Sequence, residues 1–246
     1  MMRIIVKFEF DKLELPIQYN HIMQAVVLNL INDEEYRKFV HDKGFSYQKR
    51  KFKLYTFSRL LGKFQIDKER KTISFNKNAN FIISSYDENF CYYLMEKLMQ
   101  FRDIKIGRNN VRVQNVEVEN YIPEKELKVV TRSPVTIYST YFDENSSKKT
   151  LFYHPDDYKF RELLEKNIIK KYMAIFKKEP EGRIEIKHVG KSPKKVMIIY
   201  KNFKIIGWLT AFDLYSNNKE LLKIAYDSGL GAKNSQGFGL VDVVKK

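Results

Sequence analysis

The stretch FVHDKGFSYQKRKFKLYTFS, from Phe39 to Ser58, carries the side chains best suited to chemistry. Lys43, Lys49, Arg50, Lys51 and Lys53 put five positive charges into eleven residues with no acid, and Phe45, Tyr47 and Phe52 are interleaved among them. Two arrangements accommodate that composition. One is a surface that grips phosphates while offering rings to unpaired bases; the other is a solvated strand face whose aromatics point into the core. His41 lies beside the patch, at the end of a helical pattern. A lone histidine there commonly completes a helix cap. As a functional group, imidazole is the side chain whose ordinary titration range spans neutrality. It suits RNA cleavage by 2′-hydroxyl attack on the adjacent phosphate, because the substrate supplies its own nucleophile and no metal is obligatory. A lysine would then stabilise charge building on the phosphorane oxygens.

The second conspicuous stretch is GLGAKNSQGFGLVDV, Gly229 to Val243, with four of the chain's ten glycines in eleven residues. It fails the dinucleotide template G-x-G-x-x-G, because Asn234 or Asp242 falls where the third glycine belongs. VGKSP at Val189–Pro193 ends like a P-loop, yet Glu185 occupies the place of its first glycine. Four regularly spaced glycines predict close approach of backbone to another body. With a nucleotide removed from that role, RNA becomes the expected occupant, with Lys233, Asn234 and Ser235 adding hydrogen bonds from the same loop. His41-Asp42 resembles the adjacent pair of HD-type metal hydrolases, but the remaining histidines, His21, His154 and His188, lack ligand spacing. Neither a metal nor another cofactor is expected.

The elements that must position these residues follow from periodicity. Arg3–Phe10 alternates as a strand, Tyr19–Asn32 and Asp33–His41 are spaced as helices, and Gly44 is placed for a left-handed cap. Strands are predicted at Phe52–Ser58, Lys63–Phe75 and Asn80–Ser85, a helix at Glu88–Phe101 and a strand at Arg112–Glu119. After a linker containing Pro123 a similar order restarts. Leu127–Ser139 is strand-like with a turn at Ser133-Pro134, and Asp156–Lys177 is helical. Strands follow at Arg183–Lys187, Lys194–Tyr200 and Lys204–Leu214, then a helix at Lys219–Asp227 and a strand at Gly237–Val244. The expected fold is α+β, two tandem ferredoxin-like (RRM-like) domains over 1–122 and 123–246.

Composition agrees with a folded, polyanion-binding chain. The 246 residues carry 45 Lys and Arg against 30 Asp and Glu, a net charge of +15. Residues 1–120 hold 21 basic and 15 acidic residues and residues 121–246 hold 24 and 15. The excess is therefore a property of both halves rather than of a tail, although a generally lysine-rich surface accounts for part of it. The single cysteine, Cys91, makes neither an internal disulfide nor a cysteine zinc site. No apolar run reaches the ~20 residues of a membrane span, and the first residues alternate like a strand rather than a signal peptide. A cytoplasmic protein without a membrane partner is expected.

Together these residues resemble the CRISPR-associated endoribonucleases that cut precursor CRISPR RNA within its repeats, the sixth Cas family of the repeat-associated (RAMP) superfamily. Gly229-Leu-Gly231, five residues, then Gly237-Phe-Gly239 is similar to that family's glycine-rich loop, spacing included. YNHIMQAVVLNLI, FVHDKGF and KLYTFS resemble its first helix and active-site region. The resemblance implies His41 as general base or acid and Lys53 as the lysine that opens the following strand. The family's tyrosine late in the first helix is matched here by Leu28, which makes Tyr47 the candidate substitute. Lys49, Arg50 and Lys51, with Gly229, Gly231, Lys233, Asn234, Ser235, Gly237 and Gly239, are the expected RNA contacts. The implied activity is metal-independent cleavage of CRISPR repeat RNA to a 2′,3′-cyclic phosphate (or 3′-phosphate) and a 5′-hydroxyl. An effector complex is a further implied partner, and the protein is expected as monomer or homodimer. The alternative is a non-catalytic repeat-binding protein or effector-complex scaffold. A general RNA-binding protein with two such domains would carry an RNP signature, which is absent.

Overall fold

Apolar alternation builds the first strand. In β1 (Met2–Pro16) Ile4, Val6, Phe8 and Phe10 are buried, then Leu13 and Leu15. The change from even to odd positions falls at a register shift between Phe10 and Lys12, where one extra residue resets the pleat and lets the strand continue past its expected end. The computed structural model describes residues 2–244.

After β1 come α1 (Asn20–Asn29) and α2 (Glu34–Lys38), the latter capped by the Asp33 carboxylate accepting from the Tyr36 amide. The helix then widens into one π-helical turn, Phe39–Lys43. A short hairpin follows, β2 (Phe45–Tyr47) and β3 (Arg50–Phe52), then β4 (Tyr55–Phe57), β5 (Phe64–Asp67) and β6 (Thr72–Ser85). The first half ends with α3 (Glu88–Gln100), β7 (Asp103–Ile106) and β8 (Asn109–Glu119). Its sheet has the order β4-β6-β1-β8-β7, with β5 also paired to β6. Helices α1 and α3 cover one face, where Met23, Val27, Phe90 and Leu94 join the cluster of Ile4, Phe8 and Phe81.

The second half contains β9 (Glu126–Thr131), β10 (Tyr138–Phe142), β11 (Lys148–Phe152), α4 (Tyr158–Phe176) and β12 (Ile184–His188). It continues with β13 (Lys194–Tyr200), β14 (Phe203–Leu209), β15 (Ala211–Ser216), α5 (Lys219–Ser228) and β16 (Val241–Val243). The order β12-β15-β9-β16 repeats the first sheet: the opening strand lies between the third and the last strand of a βαββαβ unit. The strand pairs in both sheets are antiparallel. The fold is thus a tandem of ferredoxin-like units. Hairpins β10-β11 and β13-β14 are inserted into the second unit as separate two-stranded ribbons.

Several expected strands divide, each for a local reason. Phe52–Ser58 breaks at Leu54, whose φ of +53° cannot continue a strand, into β3 and β4. Lys63–Phe75 is a hairpin turning near Lys71 at φ +53°, and its second arm merges with Asn80–Ser85 into the long β6. Lys204–Leu214 leaves the inserted ribbon and enters the main sheet at Thr210, so it is two strands, β14 and β15. The last strand is only Val241–Val243, because Asn234–Gln236 forms a 3-10 turn and Gly237–Leu240 is irregular.

Candidate active site and nucleic-acid interface

His41 sits in the π turn, where the Gly44 amide bonds five residues back to the Phe39 carbonyl at 2.7 Å. The turn is anchored from below. Tyr36 packs on Phe39 and Tyr93, and its hydroxyl donates to Asp87 at 2.7 Å. Gly44 adopts φ +63° and ψ −166°, not the left-handed cap expected. A Cβ there would stand 2.5 Å from the Phe52 carbonyl oxygen, so glycine is what lets β3 close against the turn. That contact brings Lys53 to the same cleft as His41.

The His41 Nδ1 lies 2.6 Å from the Asp42 carboxylate. Hydrogen bonding to His41, with the Lys53 and Lys51 charges, holds Asp42 below the usual carboxylate range. An ionised carboxylate only accepts, so Nδ1 is the donor in this contact, and in a neutral imidazole that leaves Nε2 as the acceptor. The Asp42 carboxylate is thus the hydrogen-bond partner of His41; the sequence showed the pair but suggested only a metal-hydrolase reading. Lys53 Nζ is buried without any hydrogen-bond acceptor. Burial, then the Lys51 charge, pull its ammonium below the usual lysine range.

The part of the cleft beside His41 has a volume of about 390 Å³. Its walls come from α1 (Gln24), the π turn, β4 (Tyr55), the β13-β14 ribbon (Tyr200, Phe203) and the glycine-rich loop (Lys233, Ser235). Lys53, Lys233, Ser235 and Gln236 also border an adjoining space of about 500 Å³, lined by Arg50, Lys51, Lys166, Lys170 and Lys171. No Asp or Glu among the described residues lines either part. Lys170 is pulled below its usual range by burial and then by the neighbouring Arg50 and Lys166 charges; Lys166 itself is paired with Glu162, one turn earlier in α4. Nor do the described residues contain a group of three or more His, Cys, Asp or Glu side chains placed to hold a metal ion.

Of the expected site residues, His41, Lys53, Arg50, Lys51, Lys233, Asn234 and Ser235 line this cleft. Lys49 does not; it lies exposed at the tip of the β2-β3 hairpin. Tyr47 does not either. Its ring packs with Phe45, Phe52 and Ile175, and the hairpin that carries it is tied to the end of α4 by Lys177 Nζ donating to the Ser46 carbonyl at 3.0 Å. The tyrosines that line the cleft are instead Tyr55 and Tyr200 beside His41 and Tyr138 in the adjoining space. Tyr55 is 1% exposed, and burial raises its pKa above the ordinary range. Tyr200 is also raised by burial and donates to Gln24 Oε1, while Gln24 Nε2 donates to the Ser235 carbonyl at 2.8 Å. Leu28 packs on the first core, one turn along α1 from Gln24. His21 is exposed, and His188 is clamped between Asp156 at 2.7 Å and Thr210 at 2.6 Å, outside the cleft.

The glycines correct a sequence expectation. Gly229, Gly231, Gly237 and Gly239 are all buried, and what approaches their backbone is protein. At Gly237, φ +81°, a Cβ would meet the Phe57 ring at 2.5 Å and Asn20 Nδ2 at 2.8 Å, both in the first half of the chain. Thr56 Oγ1 donates to the Phe238 carbonyl at 2.8 Å and Asn20 Nδ2 to the Gln236 carbonyl at 2.9 Å. The two apolar residues of the motif act as pegs: Leu230 enters the second core, and Phe238 packs under the ribbon against Ile198, Tyr200 and Ile205. Gly231 borders the larger space. Gly229 and Gly237 meet the first half of the chain at Thr56, Phe57 and Asn20, and Gly239 packs on Leu230 and Asn234 of its own loop; these three line neither part of the cleft. Only the tip, residues 232–236, is partly exposed for a ligand.

Lys171, in the middle of α4 and 2% exposed, fixes that tip. Its Nζ faces the Ser228 carbonyl (3.3 Å), Ser228 Oγ (3.1 Å), the Gly229 carbonyl (2.6 Å) and Asn234 Oδ1 (2.8 Å). Burial pushes the ammonium down to about 7, and four surrounding oxygens favour keeping its proton. Asn234 Nδ2 in turn closes the neck of the loop on the Leu230 and Phe238 carbonyls, both at 3.0 Å. Lys171→Met strands these acceptors at about 1–3 kcal/mol each. The expected result is a thermal midpoint lower by at least about 8 °C in a melting experiment, and an unchanged midpoint would refute the keystone role.

Two family models match this chain. The one described as CRISPR associated protein Cas6, C-terminal, covers residues 115–243, and the one described as CRISPR-associated protein Cas6, N-terminal, covers residues 14–117. CRISPR-associated endoribonuclease Cas6 1 of Methanocaldococcus jannaschii is 28% identical over 252 residues, spanning 98% of this chain and 92% of that protein. A solved structure described as "CRISPR associated protein Cas6" superimposes with a TM-score of 0.79 at 26% identity, over 99% of both chains. Another, described as "An RAMP protein binding different RNA substrates", gives 0.82 at 25% identity over the whole of both. Doubled βαββαβ units, a glycine-rich loop locking them together and these matches along almost the whole length agree: the chain belongs to the CRISPR-associated Cas6 family.

Proposed function

We propose that this protein is a metal-independent endoribonuclease that binds CRISPR repeat RNA and cuts precursor CRISPR RNA once within the repeat. The observation that carries the reading is an acid-free cationic cleft in which an oriented histidine, His41, shares the walls with a buried and unpartnered ammonium, Lys53. Asp42 and Glu162 offset only part of the charge of this cleft, and a ribose-phosphate chain supplies the rest of its counter-ions.

In the proposed reaction His41 Nε2 takes the proton of the 2′-hydroxyl as its oxygen attacks phosphorus. The bond from phosphorus to the 5′-oxygen breaks, and that oxygen leaves as a hydroxyl by taking a proton from water, while the imidazolium of His41 returns its proton to solvent. Lys53 donates to the non-bridging oxygens, where negative charge grows in the transition state; a partly desolvated ammonium exerts its field there with little water to screen it. Asp42 keeps the imidazole in the base tautomer. Arg50, Lys51, Lys166, Lys170 and Lys233 hold flanking phosphates. Glu126 to Val243, with the loop, forms the second of two functional domains, and the catalytic turn belongs to the first.

The reading is tested by incubating purified protein with its repeat RNA in excess chelator and identifying the ends. Expected are one cut, a 2′,3′-cyclic phosphate or 3′-phosphate, and a 5′-hydroxyl. A 5′-phosphate product, or activity restored only by a divalent metal, would sink it. Tight binding without a cut from pH 6 to 9 would identify a non-catalytic repeat-binding protein instead.

A further inference from the structure

The β13-β14 ribbon presents an aromatic ring to the cleft for which the protein provides no cover. Its cross-strand pairs Val196 with Gly207, Ile198 with Ile205 and Tyr200 with Phe203 share one face, since directly opposite residues point the same way. Ile198, Ile205 and Tyr200 are buried on Phe238, at 1%, 4% and 7% exposure, yet Phe203 at the end of the row is 76% exposed. It is one of the residues that line the His41 part of the cleft.

The tip is held rigidly. Lys201 and Asn202 form a two-residue turn with φ of +45° and +70°, the twist that a tight hairpin needs and one that non-glycine residues adopt at a cost. Behind the tip, Tyr200 bonds to Gln24, and the Ile199 amide donates to Gln18 Oε1 at 2.9 Å. Ring and lysines are thus fixed together: Lys201, Lys53 and Lys233 border the same space. A flat group with an apolar face and an attached anion matches that combination, and a nucleotide is such a group.

We propose that Phe203 is the stacking platform for a nucleobase beside the scissile phosphate, with the ribbon tip as a binding subsite of the cleft. The assignment rests on the RNA-cleaving function proposed above. Stacking uses the face of a base rather than its edge, so the subsite registers the presence of an unpaired base more than its identity.

The test measures affinity for repeat RNA made uncleavable by one deoxyribose at the cut site, using wild type, Phe203→Ala and Phe203→Trp. Each is titrated with intact RNA and with RNA abasic at the nucleotide on either side of that phosphate. Phe203→Ala should weaken binding of intact RNA by about 5- to 150-fold, the range of single base–aromatic stacks, and Phe203→Trp should restore it. One abasic RNA should bind wild type as weakly as Phe203→Ala binds intact RNA, with no further loss when the two changes are combined. An exposed ring leaves the core untouched, so melting temperature should stay unchanged. Equal binding of intact RNA by wild type and Phe203→Ala overturns the proposal, as does the same loss on intact and on both abasic RNAs. Because binding alone is read, a protein that failed to cut RNA would refute the catalytic reading without deciding this one.

Discussion

Replacing the ribose immediately 5′ of the scissile phosphate by deoxyribose should abolish cleavage, with a loss of at least about 10⁴-fold in single-turnover rate. The 2′-oxygen is the nucleophile of the proposed reaction, and no other group is held against phosphorus. An intramolecular nucleophile enjoys effective concentrations of about 10⁵–10⁸ M, and a solvent water admitted in its place recovers little of that. Binding should change by less than about threefold, because the phosphates that meet the lysines are retained. Any persistent cleavage of the deoxy substrate at a comparable rate would mean that water or an enzyme group attacks instead.

His41→Ala should lower the single-turnover rate by about 10²–10⁴-fold, the range that one positioned proton-transfer group supplies. The side chain is 58% exposed and hydrogen-bonded only to Asp42 among its described partners, so melting temperature and repeat affinity should remain close to wild type. Wild-type cutting by the variant would remove His41 from the chemistry. A rate loss that tracked a lower melting temperature would make the histidine structural.

The cationic stretch beside His41 was legible in sequence because its constraints are local. A helix ending at Gly44 and a cationic segment with no acid are features of consecutive residues, and they located His41, Lys53, Arg50 and Lys51 correctly on one cleft. Tyr47 was misleading for the same reason: proximity in sequence says nothing about the direction of a hairpin side chain, and here the hairpin closes onto α4. Tyr200, Phe203, Lys166 and Lys170 had no signal beyond their composition, since the walls they form arise only when the second unit packs against the first. Asp42 was visible as a neighbour of His41, but its role depends on a π turn that turns both side chains to contact, and residue spacing alone suggested the metal-site alternative.

The fold shows the same division. Alternating and helical periods, restarted after Pro123, were sufficient for two ferredoxin-like units, because core-facing residues recur at the period of their own element whatever lies beyond it. Strand ends were not, since Leu54, Lys71 and Thr210 change direction without glycine or proline to mark them. The glycine-rich loop divides most clearly. Its spacing by itself determined that the backbone must come within touching distance of something, as bare Cα positions imply. Only the tertiary structure decided that the something is protein: Thr56, Phe57 and Asn20 of the other unit at Gly229 and Gly237, Val135, Thr136 and Ile137 at Gly231, and the loop's own Leu230 and Asn234 at Gly239, with residues 232–236 left partly exposed. A glycine pattern records the steric demand at its own position, whereas the identity of the neighbour is set by residues that range from the loop itself to Asn20 near the other end of the chain.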